Sequence, residues 1–183
     1  MKSRAVFLDR DGVINQNRDD YVKSWEEFVF IPGALDALEN LARTAFQVVV
    51  VTNQAAIGRG YVTQSLVWDI HCRMIATVNA NGGRIDAVYH CPHTPEQGCC
   101  CRKPAPGLYL RAAKELDLDL TRSYSIGDKQ SDLDAGARVG CEGILVLTGK
   151  GKEEMKTLRQ RYRLVRDLRG AVELIRLMED NGQ

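Results

Sequence analysis

Several things are missing from this 183-residue chain. No apolar run approaches the roughly 20 residues that a membrane-spanning helix needs. There is no internal repeat, linker, low-complexity tract or coiled-coil seam, so nothing predicts an array or a helical oligomer, and a monomer is the default expectation. Charge of one sign is also lacking. The 25 basic side chains against 24 acidic ones leave a formal +1, too little for a bulk field that would favour nucleic acid or membranes, although a local basic pocket is still allowed. The opening Met1-Lys2-Ser3-Arg4 runs into an apolar stretch with no cleavage-like small-residue site, so no signal peptide and a cytoplasmic location are expected.

What is present is ordinary for a globular protein, at 44% hydrophobic and 27% charged residues. This length suits one domain with a full core, residues 1–183. Short β-branched runs alternate with helical patterns. The predicted strands are Ala5–Leu8, Gln47–Thr52, Ile85–Tyr89, Tyr124–Ile126 and Gly143–Leu147, with a brief one at Leu164-Val165. Helices are predicted after Pro32-Gly33, from Gln64 to Asn81, around Tyr109–Leu116, from Ser131 to Gly140, as a basic helix from about Lys152, and to the end near Met178. Val48–Val51 is apolar on both faces, as a buried parallel strand should be. Alternation of this kind predicts a three-layer α/β domain with a Rossmann-like parallel sheet.

The polar ends of these strands carry the chemistry. Asp9-Arg10-Asp11-Gly12 ends the first strand, and carboxylates at i and i+2 of an extended segment share a side. Held so close, they need a cation between them or a proton on one. An oxygen-only pair suits Mg2+, and Asp9 could attack phosphorus, since carboxylates form aspartyl-phosphates. The second strand delivers Thr52-Asn53-Gln54, whose hydroxyl and amides can donate to phosphate oxygens. The fourth delivers Gly127-Asp128-Lys129, and Arg102-Lys103 adds two cations between them. Singly each has a plainer explanation: an Asp-Gly turn, a strand cap at Thr52, a solvated Lys103, a helix N-cap at Asp128. Together, at successive strand ends, they make one phosphoryl-transfer site. The long connection from Asn15 to Ile31 is expected to be functional.

Cys91, His93, Cys99 and Cys101 lie within eleven residues. They are the soft tetrahedral set of a structural zinc site, which would brace an irregular loop and carry Arg102-Lys103. Cys100 competes with its neighbours for the metal. Cys72 and Cys141 are expected in the core, His90 in the pocket, and His71 in a structural or surface position. Trp25 and Trp68 are expected to pack, with Trp25 anchoring the long loop.

From Val6 to about Gly149 the chain resembles the haloacid dehalogenase superfamily of phosphatases. The resemblance rests on Asp9-x-Asp11-Gly12, Thr52, Lys103, and Gly127-Asp128 with Asp132. It implies Asp9 as nucleophile, Asp11 as general acid and then base, and Thr52 and Lys103 as holders of the phosphoryl group. It also implies Mg2+ on Asp9, Asp128 and the Asp11 main-chain carbonyl, with Asp132 in support, and Zn2+ on Cys91, His93, Cys99 and Cys101. Within the superfamily the chain is similar to the subgroup without a large cap domain that acts on heptose bisphosphates and histidinol phosphate. Arg59 in Ile57-Gly58-Arg59-Gly60-Tyr61, and Lys129, favour the heptose side. That likeness implies a substrate-binding set of Asn17, Arg18, Asp19, Asp20 and Tyr21, with Asn53, Gln54, Ala55, Arg59, Arg102 and Lys129. Ala55 stands where the subgroup has Ser or Asp, leaving only a main-chain N–H. A small sugar-phosphate partner is implied, with hydrolysis of the 7-phosphate through an aspartyl-phosphate. A histidinol-phosphate phosphatase and a non-catalytic scaffold of the same fold are the alternatives.

Overall fold

In a computed structural model describing residues 2–158 and 162–181, six strands form one parallel sheet in the order β3-β2-β1-β4-β5-β6. They are β1 (Ala5–Leu8), β2 (Gln47–Asn53), β3 (Ala87–Cys91), β4 (Tyr124–Gly127), β5 (Glu142–Val146) and β6 (Arg163–Val165). The helices are α1 (Ala34–Ala42), α2 (Ala55–Gly58), α3 (Gln64–Ala80), α4 (Gly107–Glu115), α5 (Gln130–Ala137), α6 (Gly151–Glu154) and α7 (Leu168–Asn181). Side chains of β1 and β2 alternate between two packed layers, as the period of two requires. Val6, Leu8, Val48 and Val50 face the layer containing α1, α3 and α7. Ala5, Phe7, Val49 and Val51 face the layer containing α4. The three-layer α/β expectation holds, and no cap interrupts the described residues.

Several boundaries differ from those expected. β3 begins and ends two residues later than the apolar run suggests, because Asp86 is used to tie the strand down: its Oδ2 accepts from Val48 N at 2.7 Å. The short helix α2 was not predicted; its four residues are too few to show a period. The basic helix expected from Lys152 is a single turn, α6, and residues 159–161 of that stretch lie outside the described set. α3 starts at Thr63, whose Oγ1 accepts from Leu66 N at 3.2 Å as an N-cap. No described helix is long and apolar enough to cross a membrane.

Two packing expectations are corrected. Cys72 is exposed and Trp68 is 55% exposed, because α3 buries Val67, Ile70, His71, Met74 and Val78 instead. Cys141 is buried as expected. Trp25 does anchor the long loop: it stacks on Phe28 at 5.1 Å and meets Phe30 edge-on.

Candidate active site

The carboxyl ends of β1, β2 and β4 converge on a cavity of about 530 Å3. β1 leads directly into Asp9, whose main-chain N–H extends the parallel ladder by donating to Ile126 O at 3.0 Å. Gly12 then turns with φ +92°, and a Cβ there would collide with the Asp128 carboxylate. Only glycine satisfies both the backbone and the approach.

Asp9, Asp128 and Asp132 are all buried, and one carboxylate oxygen of each lies within 4.8 Å of the others. Asp132 is spoken for: Oδ1 pairs with Lys103 Nζ at 2.7 Å, and Oδ2 accepts from Lys129 N at 3.1 Å. Asp128 Oδ2 accepts from Lys150 N and Asn17 Nδ2. Asp9 Oδ1 and Asp128 Oδ1 are buried with no hydrogen bond, although Lys103 Nζ stands 3.0 Å from the former. Burial first, and then the neighbouring Asp132 charge, push the Asp128 carboxyl up to about 7. Two buried carboxylate oxygens without a hydrogen bond, in an oxygen-only set, are what Mg2+ takes, so the residues present fit that ion.

Lys103 is buried and three-coordinate, donating to Val51 O at 2.7 Å as well as pairing with both aspartates. Burial would pull its ammonium down, but Asp132 and Asp9 outweigh this and hold it above the ordinary lysine range. It is not a solvated lysine. Asp11 receives Arg10 through both oxygens at 2.8 and 2.9 Å, Asn15 Nδ2 at 2.9 Å and Gln54 Nε2 at 2.8 Å. Burial raises its carboxyl, yet the Arg10 charge and these bonds together leave it below the usual aspartate value.

The cysteine loop closes on itself. Cys91, Cys99 and Cys101 Sγ and His93 Nδ1 form five close pairs between 3.2 and 3.6 Å. A tetrahedron with Zn–S of about 2.3 Å has edges of roughly 3.8 Å, so the set needs little movement to hold zinc. Cys100 is exposed and outside it, which resolves the competition in favour of Cys99 and Cys101.

Comparison with known proteins agrees with this geometry. A family model described as HAD-hydrolase-like matches residues 100–171. A D-glycero-beta-D-manno-heptose-1,7-bisphosphate 7-phosphatase of Pseudomonas putida is 40% identical over 153 residues, 84% of this chain and 87% of its own. A D-glycero-alpha-D-manno-heptose-1,7-bisphosphate 7-phosphatase of Burkholderia mallei is 40% identical over 164 residues, 86% of each chain. The crystal structure of the D,D-heptose 1,7-bisphosphate phosphatase of B. bronchiseptica, complexed with magnesium and phosphate, superposes with a TM-score of 0.91 at 38% identity, covering 96% of this chain and 99% of that one. The chain belongs to the heptose-1,7-bisphosphate 7-phosphatase family.

Against that family membership, the placement of each expected residue is informative. The cavity is lined by Asp9, Asp11, Lys103 and Lys129, and by Asn17, Arg18, Asp19 and Tyr21 of the long loop. Asn53, Gln54, Ala55, Arg59 and Arg102 complete the expected residues on its wall. Asp20 is not on it: its carboxylate turns outward to Arg18 and Lys23, which hold it down at about 2. Thr52 is buried behind the wall, its Oγ1 accepting from Gln54 Nε2 at 3.0 Å. The Asn53 amide exchanges two 3.1 Å bonds with the Lys103 main chain, and the Gln54 amide is used on Asp11 and Thr52. Both were expected to donate to phosphate; here they position the groups beside it. Arg59 donates to Tyr21 Oη at 3.0 Å, and Arg102 to His93 O at 3.1 Å. His90 is not on the wall; its ring lies 5.5 Å from that of His71, which is fully buried. Sequence reasoning missed Lys150 and Ser131, which line the cavity. Lys150 follows the end of β5, so the strand-end rule would have found it had it been carried one strand further.

Proposed function

We propose that the chain is a Mg2+-dependent phosphatase that removes the 7-phosphate of D-glycero-D-manno-heptose 1,7-bisphosphate through an aspartyl-phosphate. The observation that carries this reading is the buried Asp9 oxygen without a hydrogen bond, beside the matching Asp128 oxygen and the Lys103 ammonium. Asp9 attacks phosphorus, forming the Asp9–phosphorus bond as the bond from phosphorus to the C7 oxygen breaks. Asp11, which despite its burial is held by Arg10 below the usual aspartate range in the substrate-free site, takes up a proton before this step and gives it to the departing alkoxide. The ionised Asp11 then takes one from the water that attacks the aspartyl-phosphate. Lys103, with Lys129, neutralises and orients the phosphoryl oxygens, while Thr52, behind the wall, holds the Gln54 amide that donates to Asp11. Asp9 and Asp128, with the Asp11 main-chain carbonyl, would hold Mg2+, which supplies further positive charge to those oxygens. Asp132 keeps the Lys103 ammonium aimed at the site.

The cavity is within the size range of small-ligand sites, and its cations outnumber its carboxylates. Arg18, Arg59, Arg102, Lys103, Lys129 and Lys150 face Asp9, Asp11, Asp19 and Asp132. That excess suits a substrate with two phosphates and opposes one carrying an amine. The test is phosphate release with Mg2+ from the α and β anomers of the heptose bisphosphate and from histidinol phosphate. A large kcat/KM preference for one heptose anomer supports the reading and names the anomer. A preference for histidinol phosphate overturns it.

A further inference from the structure

Arg10 sits between the two aspartates that the motif is named for, and it is fully buried. A buried guanidinium needs its donors matched. Nη2 is committed to both Asp11 oxygens at 2.8 and 2.9 Å, and Nε approaches Oδ1 at 3.3 Å. Nη1 meets His71 Nε2 at 3.2 Å. The guanidinium carbon is 5.9 Å from the Phe28 ring centroid. The fork is therefore held from two sides, by Asp11 in front and by His71, on α3, behind.

Arginine only donates, so His71 Nε2 must be an acceptor and the imidazole must be neutral with its proton on Nδ1. That nitrogen is buried and has no hydrogen-bond partner. Burial, the Arg10 charge and the neighbouring His90 keep the ring neutral, with only Asp11 favouring its charged form. A leucine or methionine would fill this position on α3 without stranding a polar atom. A stranded buried donor calls for a reason, and the bond to Arg10 is the candidate.

We propose that His71 is a positioning residue for the acid–base carboxylate, acting through Arg10 to fix where the Asp11 carboxylate stands. The inference rests on the acid–base role given to Asp11 above. Arg10 clamps the carboxylate through both of its oxygens, which limits its rotamer. His71, on Nη1, stops Arg10 from turning away from the carboxylate. The pair links α3 to the β1 turn across 61 positions of sequence, so helix packing is transmitted to the placement of one proton donor.

The experiment compares His71→Gln, His71→Leu, Arg10→Lys and Asp11→Asn in the full chain. Each is assayed in single turnover with Mg2+ on the heptose 1,7-bisphosphate and on 4-nitrophenyl phosphate, whose leaving group needs no proton. Glutamine keeps an acceptor near Nε2; leucine does not. The expected result for His71→Leu is a loss of about tenfold or more in alcohol release, within the 10²–10⁴ range of acid–base catalysis. KM should be nearly unchanged, and nitrophenolate release should fall much less. His71→Gln should recover most of the loss, and Arg10→Lys should reproduce the leucine pattern even if the leucine variant does not fold. Equal losses on both substrates, or equal behaviour of Gln and Leu on the bisphosphate, would overturn the proposal and leave His71 a packing residue. If Asp11→Asn itself shows no leaving-group dependence, the acid–base assignment has failed, and the positioning role falls with it.

Discussion

Lys103 and Asp132 meet at 2.7 Å with their side chains 1% and 3% exposed. They come from different elements, a loop after the cysteine cluster and the first turn of α5. Such a contact is strong evidence of shared purpose, because breaking a buried pair is far more damaging than never having made it. Asp132→Asn should therefore destabilise the protein by about 3 kcal/mol or more. Lys103 should also turn further toward Asp9. Urea unfolding at fixed Mg2+ measures the first effect; a fall in kcat with nearly constant KM measures the second. A variant as stable and as fast as the parent would show that Asp132 matters to neither.

Asp9→Asn should cut phosphate release by at least about a thousandfold, the scale on which lost nucleophiles are felt. Folding should survive, since the change removes one of three crowded carboxylates. Circular dichroism and a phosphate-release assay check the two halves. Appreciable residual turnover would remove Asp9 from the nucleophile's role.

His71 makes a prediction about acid stability. Its folded pKa is depressed from 6.5 to about 3, chiefly by burial. The unfolded chain therefore binds the extra proton first, and the stability linked to this group is present above about pH 6.5 and lost as pH falls toward 3. Between pH 6.5 and 4 the linked loss is on the order of 3 kcal/mol. Denaturant titrations at several pH values should show a steeper decline for the parent than for His71→Gln. Parallel curves would mean that the imidazole takes up its proton at the same pH in the folded and the unfolded chain.

Removing the soft metal should act at a distance. Cys101 is two residues from Lys103, and Arg102 between them donates to His93 O at 3.1 Å. Elemental analysis should give about one zinc per chain, as for a closed four-ligand structural site. Stripping it, or changing Cys99→Ser, should lower Tm and reduce kcat together, because the base that carries Lys103 loosens. Added Mg2+ should not restore either quantity. Zinc-free protein with full activity would return these cysteines to ordinary thiols.

The legibility of the molecule from its sequence follows from the range of the forces involved. Val48–Val51, the Gln64 start of α3 and the parallel three-layer arrangement were readable because period and β-branching act locally. Asp9, Asp11 and Asp128 were readable because strand ends in such a sheet point to one edge; Lys103, in a loop, was readable from the resemblance to the superfamily's motifs. The zinc ligands were readable because their spacing is short. Asp20, by contrast, shares the long loop with Asn17 and Tyr21 but turns outward, since Arg18 and Lys23 are nearer than the cavity.

What the sequence by itself determined is thus the layer order, the strand-end chemistry and the metal-binding loop. What only the tertiary structure decided is how the polar side chains are paired. Arg10, flanked by aspartates, has no partner legible in the sequence beyond its neighbours until α3 brings His71 against it. Asn53 and Gln54 read as phosphate donors until the Lys103 main chain and Asp11 claim their amides. Lys150 acquires its place only when it meets Asp19 at 3.1 Å, 131 positions away in the chain. The physical reason is common to all three. Local propensity sets where the backbone goes, but a buried polar group takes whichever partner the packing brings within about 3 Å, and no local pattern records that distance.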